Sequence, residues 1–177
     1  DEVIETPPTN RKRYFERLLL KDIFAEYFRS GAKWTVVPAP SLDDSTIDFS
    51  FWRDNIQRGI PKIEGIEKNY EIAFDAANCL KFGRDIVMNV GTKNHELGFY
   101  WLKRHLEGKF RVHSTRICDT HIDGHFVPIA PGRLLVNEGA MYGMYDFLPE
   151  PLKKWDRIPV LDKDMRFDYP DDHLQMA

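Results

Sequence analysis

The chain has 177 residues, enough for one domain with a hydrophobic core. Hydrophobic residues make up 42% of it and charged residues 30%, a composition typical of a folded globular protein and not of a disordered one. The net charge of −3 gives no reason to expect a nucleic acid or an anionic membrane as partner. Apolar runs are too short to span a membrane, and we expect no signal peptide.

The chain has two cysteines, Cys79 and Cys118. Two thiols are too few for a disulfide framework or for a structural zinc site of their own. They favour a reducing compartment, so we expect a cytoplasmic protein. Because the sequence begins at Asp1 without an initiator Met, we also expect it to be an excerpt of a longer protein.

The first part of the chain predicts a strand, a helix and a second strand. Residues 2–5 have the pattern of a strand that stops before two prolines. A helix follows, capped by Thr9 or Asn10 and ending near Gly31, and residues 34–37 form the next strand. The helix carries apolar residues at helical spacing, namely Tyr14, Leu18, Ile23 and Phe28, widened by Phe15, Leu19, Phe24 and Tyr27.

Residues 41–68 show no clean period, which indicates a long surface excursion. Beyond it, strands are predicted over 70–74 and 85–90, a helix over 96–106 and a strand over 110–115. Strands that alternate with helices indicate an α/β fold. The strand-strand-helix-strand unit is too small to bury both of its faces, so we expect it to pack against similar units.

The last third predicts a hairpin, whose strands at 126–129 and 134–136 are joined by a tight turn at Pro131-Gly132. After Asn137 the pattern weakens into helix and loop fragments.

The densest polar cluster is His121, Asp123 and His125. If this segment is a strand, the three side chains share one face. Two imidazoles and a carboxylate are typical metal ligands, and a His beside an Asp is equally typical of general acid–base catalysis. A solvated strand edge is the third interpretation. The spacing alone leaves all three open.

Asp75 follows an apolar segment and precedes two alanines that leave room around it. The pattern fits a carboxylate at a site and also an ordinary helix N-cap. Cys79 fits a nucleophile served by His121, and also a buried small hydrophobic residue. The other histidines at 95, 105 and 113 are predicted to be surface or satisfied core residues.

Together these segments resemble the glycine amidinotransferase family (arginine:glycine amidinotransferases and their relatives). The matching blocks occur in the family's order, and no single block would be specific by itself. They are residues 5–16, 31–34, 74–78 with 83–86, 101–106, 110–113, 121–123 and 131–132.

The resemblance implies a fold. Members of this family are penteins, five-bladed α/β propellers built from ββαβ modules. The resemblance therefore implies two to three modules in residues 1–177, a single partial domain from which N-terminal and C-terminal portions of the family fold are missing. It also implies a homodimer.

The resemblance also implies a chemistry that needs no metal and no organic cofactor. A cysteine thiolate takes the amidino group from a guanidino donor such as L-arginine and passes it to an acceptor amine. Asp75 falls on the aspartate of the family's catalytic triad, His121 on its general acid/base, and Asp123 on a carboxylate that binds the guanidinium. These side-chain types suit those roles.

The sequence departs from the family pattern in four places. The nucleophilic cysteine lies in a Gly-rich His-Cys segment that the chain does not reach, so we expect the isolated chain to be inactive. A further guanidinium-binding aspartate lies upstream of the segment that matches Asp1. The loop between Asp119 and His121 is shorter, and Ala140 stands where the family has an arginine for the substrate carboxylate.

Three alternatives remain open at this point. The first is a hydrolase or deiminase of the same superfamily, in which water replaces the acceptor amine. The second is a non-catalytic pentein fragment that acts as a binding module. The third is a metal site at His121, Asp123 and His125.

Overall fold

A computed structural model of the chain describes residues 1–41, 43–49, 69–118 and 121–160. Within these ranges the strands are β1 Glu2–Glu5, β2 Lys33–Val36, β3 Cys79–Phe82, β4 Asp85–Asn89, β5 Arg111–Thr115, β6 Phe126–Ala130, β7 Arg133–Asn137 and β8 Asp156–Val160. The α-helices are α1 Glu16–Leu19, α2 Lys21–Arg29, α3 Lys93–His105, α4 Glu138–Met141 and α5 Glu150–Lys153.

The described strands form three sheets, two of which share one topology. In the second sheet β3 pairs antiparallel with β4, and β4 pairs parallel with β5. The third sheet repeats this order with β6, β7 and β8. In each, helical residues connect the parallel pair, as a parallel connection requires. The first sheet contains only such a parallel pair, β1 and β2, connected through α1 and α2. The predicted α/β class is confirmed.

The hairpins of the two complete modules depend on glycine. Gly83 joins β3 to β4 with φ +62°, and Gly132 joins β6 to β7 with φ +76°. This left-handed region is accessible to glycine without a steric penalty. The tight turn predicted at Pro131-Gly132 is confirmed.

Both faces of the β4 strand are covered, each by a different core cluster. Ile86 and Met88 pack into a cluster that includes Phe99 and Leu102 of α3. Val87 points the opposite way, into a second cluster formed with residues of the third sheet such as Leu134. This alternation explains why all five residues of β4 are buried, with no polar position between the apolar ones.

Several predicted elements are confirmed with small changes at their ends. Strands at 2–5, 85–90 and 110–115, and the helix at 96–106, correspond to β1, β4, β5 and α3. Most of the predicted excursion at 41–68 lies outside the described residues. Its described part forms a short 3-10 turn at Asp44–Thr46.

The strand predicted at 70–74 is wrong. That segment is irregular, and the first strand of the module is β3, at residues 79–82. Phe74 is apolar because it is buried in the core, where it is 1% exposed. Its backbone N–H donates to the Pro7 carbonyl at 2.9 Å and not to a neighbouring strand. An apolar pattern indicates that a segment is buried, and strands and irregular segments can both be buried.

The single amphipathic helix predicted before Gly31 is interrupted. Asn10 caps a 3-10 turn over Arg11–Arg13, and α1 and α2 follow with a break at Leu20. Within the described part of the chain, much of the predicted apolar stripe is uncovered. Its most exposed members are Leu19 at 81%, Phe15 at 65% and Phe28 at 61%. These side chains do not contribute to either core cluster.

The sequence pattern missed β8, which pairs with β7 in the third sheet. Its residues are mostly exposed and include Pro159, so they lack the apolar alternation of a strand. In the part of the chain described here, no helix has the length and apolar character needed to cross a membrane.

Gly98 of α3 offers a test of the core beside the candidate site. A Cβ at this position would overlap the ring of Phe74. An alanine normally stabilises a helix, but here the overlap dominates, and we expect Gly98→Ala to destabilise the protein by about 1–3 kcal/mol.

The measurement is thermal unfolding of the complete gene product, with Gly124→Ala as control. A Cβ at Gly124 meets no atom within 4 Å, so its effect should stay small. An unchanged or higher melting temperature for Gly98→Ala would contradict the packing.

Candidate active site

Asp75 lies at the end of the irregular segment, immediately before a 3-10 turn formed by Ala76–Asn78. The backbone closes this turn, since Asn78 N–H donates to the Asp75 carbonyl at 3.0 Å. The fully buried Asn78 side chain in turn accepts from the Asp75 N–H at 2.8 Å. Asp75 therefore occupies a cap position, as one interpretation predicted, and forms a capping box with Asn78. Its carboxylate also has contacts outside the turn.

His121 is held close to Asp75 by its neighbours in the chain. Ile122 N–H donates to the Ala77 carbonyl at 3.0 Å, which ties the His121 segment to the turn after Asp75. The Cys118 thiol donates to the His121 carbonyl at 3.3 Å. As a result His121 Nε2 lies 3.9 Å from Asp75 Oδ2, with the His121 side chain 38% exposed and that of Asp75 16% exposed.

The loop that leads to His121 is fixed at its start by Asn89, the last residue of β4. The Asn89 side chain donates to the Cys118 carbonyl at 3.0 Å and accepts from Ile117 N–H at 3.1 Å. Asn89 is fully buried, so these bonds form without competition from water. The position of Cys118, and through it that of His121, therefore follows from β4.

Asp123 lies on the surface in a turn over residues 123–125, and not in a strand. The prediction that His121, Asp123 and His125 share a strand face is wrong, because His125 and Phe126 N–H groups both return to the Ile122 carbonyl, at 3.0 and 3.3 Å. The described residues contain no group of three or more His, Cys, Asp or Glu side chains placed to hold a metal ion. The metal alternative therefore has no geometric support.

Two residues that the sequence analysis did not assign to the site contact the Asp75 carboxylate. Thr9 N–H donates to Asp75 Oδ2 at 3.2 Å. The half-exposed guanidinium of Arg13 lies 4.0 Å from Asp75 Oδ1 and also binds Glu16. Both come from the segment that follows β1, more than 60 residues earlier in the sequence than Asp75, so local patterns gave no indication of the contact.

His95 lies behind Thr9 and is buried, with 1% of its surface exposed. Its Nε2 lies 2.8 Å from Thr9 Oγ1, and its Nδ1 accepts from Gly91 N–H at 3.1 Å. Burial lowers the pKa of His95 to about 4. Asp75 and Asp48 oppose this shift, whereas Arg116 and His121 reinforce it.

The prediction of satisfied histidines holds for all three remaining positions. His95 has the two partners just described, and the ring nitrogens of His105 and His113 lie 2.7 and 2.8 Å from the carboxylates of Glu2 and Asp85. What the prediction lacked was the link from His95 to Asp75. The spacing Thr92-x-x-His95, which resembles a capping box, marks a helix start and could have placed His95 at the first turn of α3.

Neither cysteine has the properties of a nucleophile. Burial raises the pKa of the Cys79 thiol to about 12, so the thiolate is scarce at neutral pH. Cys118 is 4% exposed, and its thiol is engaged with the His121 carbonyl. The interpretation of Cys79 as a buried small residue is favoured over a Cys79–His121 pair.

The sequence is similar to curated amidinotransferases over most of its length. It is 34% identical over 160 residues to the L-arginine:L-lysine amidinotransferase of Pseudomonas savastanoi pv. phaseolicola, a match that covers 89% of this chain and 42% of that protein. It is also 34% identical over 143 residues to the mitochondrial glycine amidinotransferase of Gallus gallus, covering 77% of this chain and 34% of that protein. The chain thus spans about two fifths or less of these relatives. No family model matches it.

Solved structures agree with the sequence matches. An amidinotransferase of the saxitoxin biosynthetic pathway from Microseira wollei superposes with a TM-score of 0.67 at 38% identity, covering 89% of this chain and 44% of that one. The DDAH of Pseudomonas aeruginosa, in complex with citrulline, superposes with a TM-score of 0.57 at 13% identity, covering 90% and 48%. At that identity the second likeness concerns the fold alone.

These neighbours and the repeated sheets define the class of protein: an α/β chain with the fold of the pentein superfamily. Within that class the chain is a homologue of the amidinotransferases, as the ordered sequence blocks predicted. The structure brings Asp75 and His121 together and leaves Asp123 on the nearby surface. The catalytic and binding roles of the three residues remain predictions.

The burial of Cys79 generates a prediction about its reactivity. Because burial raises the pKa of Cys79 to about 12, its thiolate is scarce at pH 8, so iodoacetamide should label Cys79 of the folded protein slowly. Mass spectrometry of the complete gene product, before and after denaturation in guanidinium, measures the labelling. Rapid labelling of Cys79 in the folded protein would contradict its assignment as a structural residue.

Proposed function

We propose that the complete protein transfers an amidino group from a guanidino donor, such as L-arginine, to an acceptor amine. The observation that carries this proposal is the proximity of His121 and Asp75, 3.9 Å apart, in a chain that is 34 to 38% identical to amidinotransferases. An imidazole beside a carboxylate suits the proton transfers that this reaction needs.

In the first half-reaction, a cysteine thiolate attacks the guanidino carbon and forms a carbon–sulfur bond. The bond from that carbon to the donor's substituted nitrogen then breaks. The leaving amine takes a proton from the His121 imidazolium, and an amidino thioether remains on the enzyme. Asp75 orients the His121 ring and stabilises its charged form, since a carboxylate on one side of an imidazole favours the imidazolium.

In the second half-reaction, the acceptor amine attacks the same carbon and loses a proton to His121, which is neutral after the first step. The carbon–sulfur bond breaks, and the thiolate is regenerated. His121 thus gives one proton and takes one in each cycle. The reaction needs no oxidant, reductant or cofactor.

Asp123 binds the donor guanidinium in this proposal. It lies two residues beyond His121 and its carboxylate is exposed, which leaves it accessible to a planar guanidinium. Ala140, in α4, offers no charge for a substrate carboxylate. This difference makes glycine, and even free arginine, less suited as substrates than guanidino compounds and amines without a carboxylate at that point.

The proposal places the nucleophile outside the 177 residues, because Cys118 is buried, Cys79 is partly buried with a raised pKa, and the chain has no further cysteine. Residues 1–177 then form one partial domain of a five-bladed propeller of ββαβ modules, and are inactive in isolation. Two complete modules of the expected topology and the length of the curated relatives support this architecture.

A homodimer and a cytoplasmic location also belong to the proposal. The dimer is inferred from the family resemblance alone, and light scattering of the purified protein tests it. The two free cysteines are compatible with a reducing compartment. One relative is named as mitochondrial, so fractionation should compare cytoplasm with organelles.

The two alternative functions have less support. The DDAH likeness, at 13% identity, bears on the fold and gives no preference for hydrolysis. A non-catalytic module would have no need to hold Asp75 and His121 close together.

The decisive experiment combines the complete gene product with arginine or another guanidino donor, with and without a primary amine. We expect an amidino adduct on one cysteine in mass spectrometry without acceptor, and a new guanidino product with it. Release of citrulline without an acceptor would indicate a hydrolase instead. The absence of both adduct and turnover across donors would overturn the proposal.

His121→Ala and Asp75→Asn should each lower kcat by about two to four orders of magnitude, because each removes part of the proton-transfer pair. Melting temperatures should change little, since both side chains are partly exposed. Steady-state kinetics measure the loss, with Glu150→Gln as control: this side chain is 82% exposed on α5 and contacts Lys153. Turnover at wild-type rates in either site variant would overturn the role assignments.

A further inference from the structure

A continuous set of hydrogen bonds runs from the start of α3 to the candidate site. Gly91 N–H donates to His95 Nδ1 at 3.1 Å, and His95 Nε2 lies 2.8 Å from Thr9 Oγ1. Thr9 N–H then donates to Asp75 Oδ2 at 3.2 Å. This is the same oxygen that lies 3.9 Å from His121 Nε2.

The direction of the His95 bonds follows from the partners. A backbone N–H can only donate, so His95 Nδ1 must accept from Gly91. In a neutral imidazole the proton then sits on Nε2, which donates to the Thr9 hydroxyl oxygen. The ring is buried and has a depressed pKa, so it stays neutral at physiological pH. The tautomer is therefore fixed by the protein.

The position of the ring is also fixed. His95 lies in the first turn of α3, where its N–H donates to the side chain of Thr92, the N-cap residue, at 3.1 Å. Thr92 and His95 are both buried. His95 is bonded at its backbone N–H and at Nδ1, so its Nε2 has little freedom and can fix the position of the Thr9 hydroxyl.

We propose that His95 is a positioning residue for the amidino-transfer reaction: it holds Thr9 by its hydroxyl, so that the Thr9 N–H fixes Asp75 Oδ2 beside His121. This inference rests on the proposed function. Neither His95 nor Thr9 touches a reacting atom in it. The effect passes through the carboxylate, whose orientation determines how well it aligns the His121 ring.

The inference predicts an effect on turnover more than on binding. Asp75 acts on His121 during proton transfer, so a misplaced carboxylate lowers kcat while the donor KM stays similar. A purely structural role for His95, as part of the α3 cap, would instead lower thermal stability and leave the kcat of the folded protein unchanged.

The test compares Thr9→Val with Thr9→Ser in the complete gene product. Valine has a similar shape to threonine but cannot accept from His95, whereas serine keeps the hydroxyl. We expect Thr9→Val to lower kcat about tenfold with the donor KM within about twofold, and Thr9→Ser to retain most of the activity. Equal activities of these two variants would overturn the inference. Thr9 is only half-buried, so both variants should fold.

A double-mutant cycle with His95→Leu separates a chain of contacts from independent effects. If His95 acts through Thr9, kcat of the double variant should match that of the more impaired single variant. Losses that multiply, to about a hundredfold, would contradict the inference. His95→Gln, which keeps a side-chain donor, should be less impaired than His95→Leu.

The activity of the wild type distinguishes a failure of the proposed function from a failure of the proposed positioning role of His95. If the wild type forms no amidino adduct and shows no turnover, the proposed function itself fails. If the wild type is active and the Thr9 and His95 variants differ from it only in melting temperature, the function stands and the positioning role is overturned.

Discussion

The candidate site depends on one backbone hydrogen bond, from Ile122 N–H to the Ala77 carbonyl. Asp75 lies two residues before the acceptor, and His121 lies one residue before the donor. Ile122 is fully buried, so water could not replace this bond if it broke, and the unsatisfied N–H would carry a desolvation cost of about 1–3 kcal/mol. The pairing of the two side chains therefore follows from the core and needs no direct bond between them.

The repeated module explains why those two residues can meet. Asp75 precedes β3 and His121 precedes β6, and these are the first strands of the two complete modules. The two strands contact each other through residues such as Phe82 and Phe126, whose rings stack at 6.1 Å. Packing one module against the next thus brings the two entry segments together, and a fold of repeated units produces a site at their junction.

Elements that depend on local interactions were predictable from the sequence, and elements that depend on distant contacts were not. The α3 helix and the β6–β7 hairpin depend on local periodicity and turn residues, and the sequence predicted both. Residues 70–74 and β8 were misjudged because distant contacts decide them: Phe74 is covered by α3, and β8 is formed by pairing with β7. The interpretation in which His121, Asp123 and His125 share a strand face also fails, because residues 123–125 form a turn.

The pairing of Asp75 with His121 was predicted from the family resemblance and not from residue spacing. Spacing left Asp75 as a cap and His121 as part of a surface cluster, and only the ordered family blocks paired them. Thr9 and His95 stayed unassigned because their contacts span 66 and 86 residues, with no local signal for either. Contacts between residues this far apart in the sequence depend on how the chain packs, and a single sequence does not show that packing.

The Asp75 carboxylate shows how the site can be organised before a substrate arrives. Its Oδ2 accepts from Thr9 N–H, while Oδ1 faces the Arg13 guanidinium at 4.0 Å. A carboxylate oxygen has room for a second donor, so Oδ2 can also accept from His121. The gap of 3.9 Å exceeds hydrogen-bond length by about 1 Å, which a small rotation of the half-exposed His121 side chain would close. Thr9 binds the carboxylate and the Arg13 guanidinium lies near its other oxygen, whereas the His121 side chain is more exposed than that of Asp75. In the proposed mechanism, Asp75 is the fixed partner, and His121 serves the leaving amine and the entering one in turn.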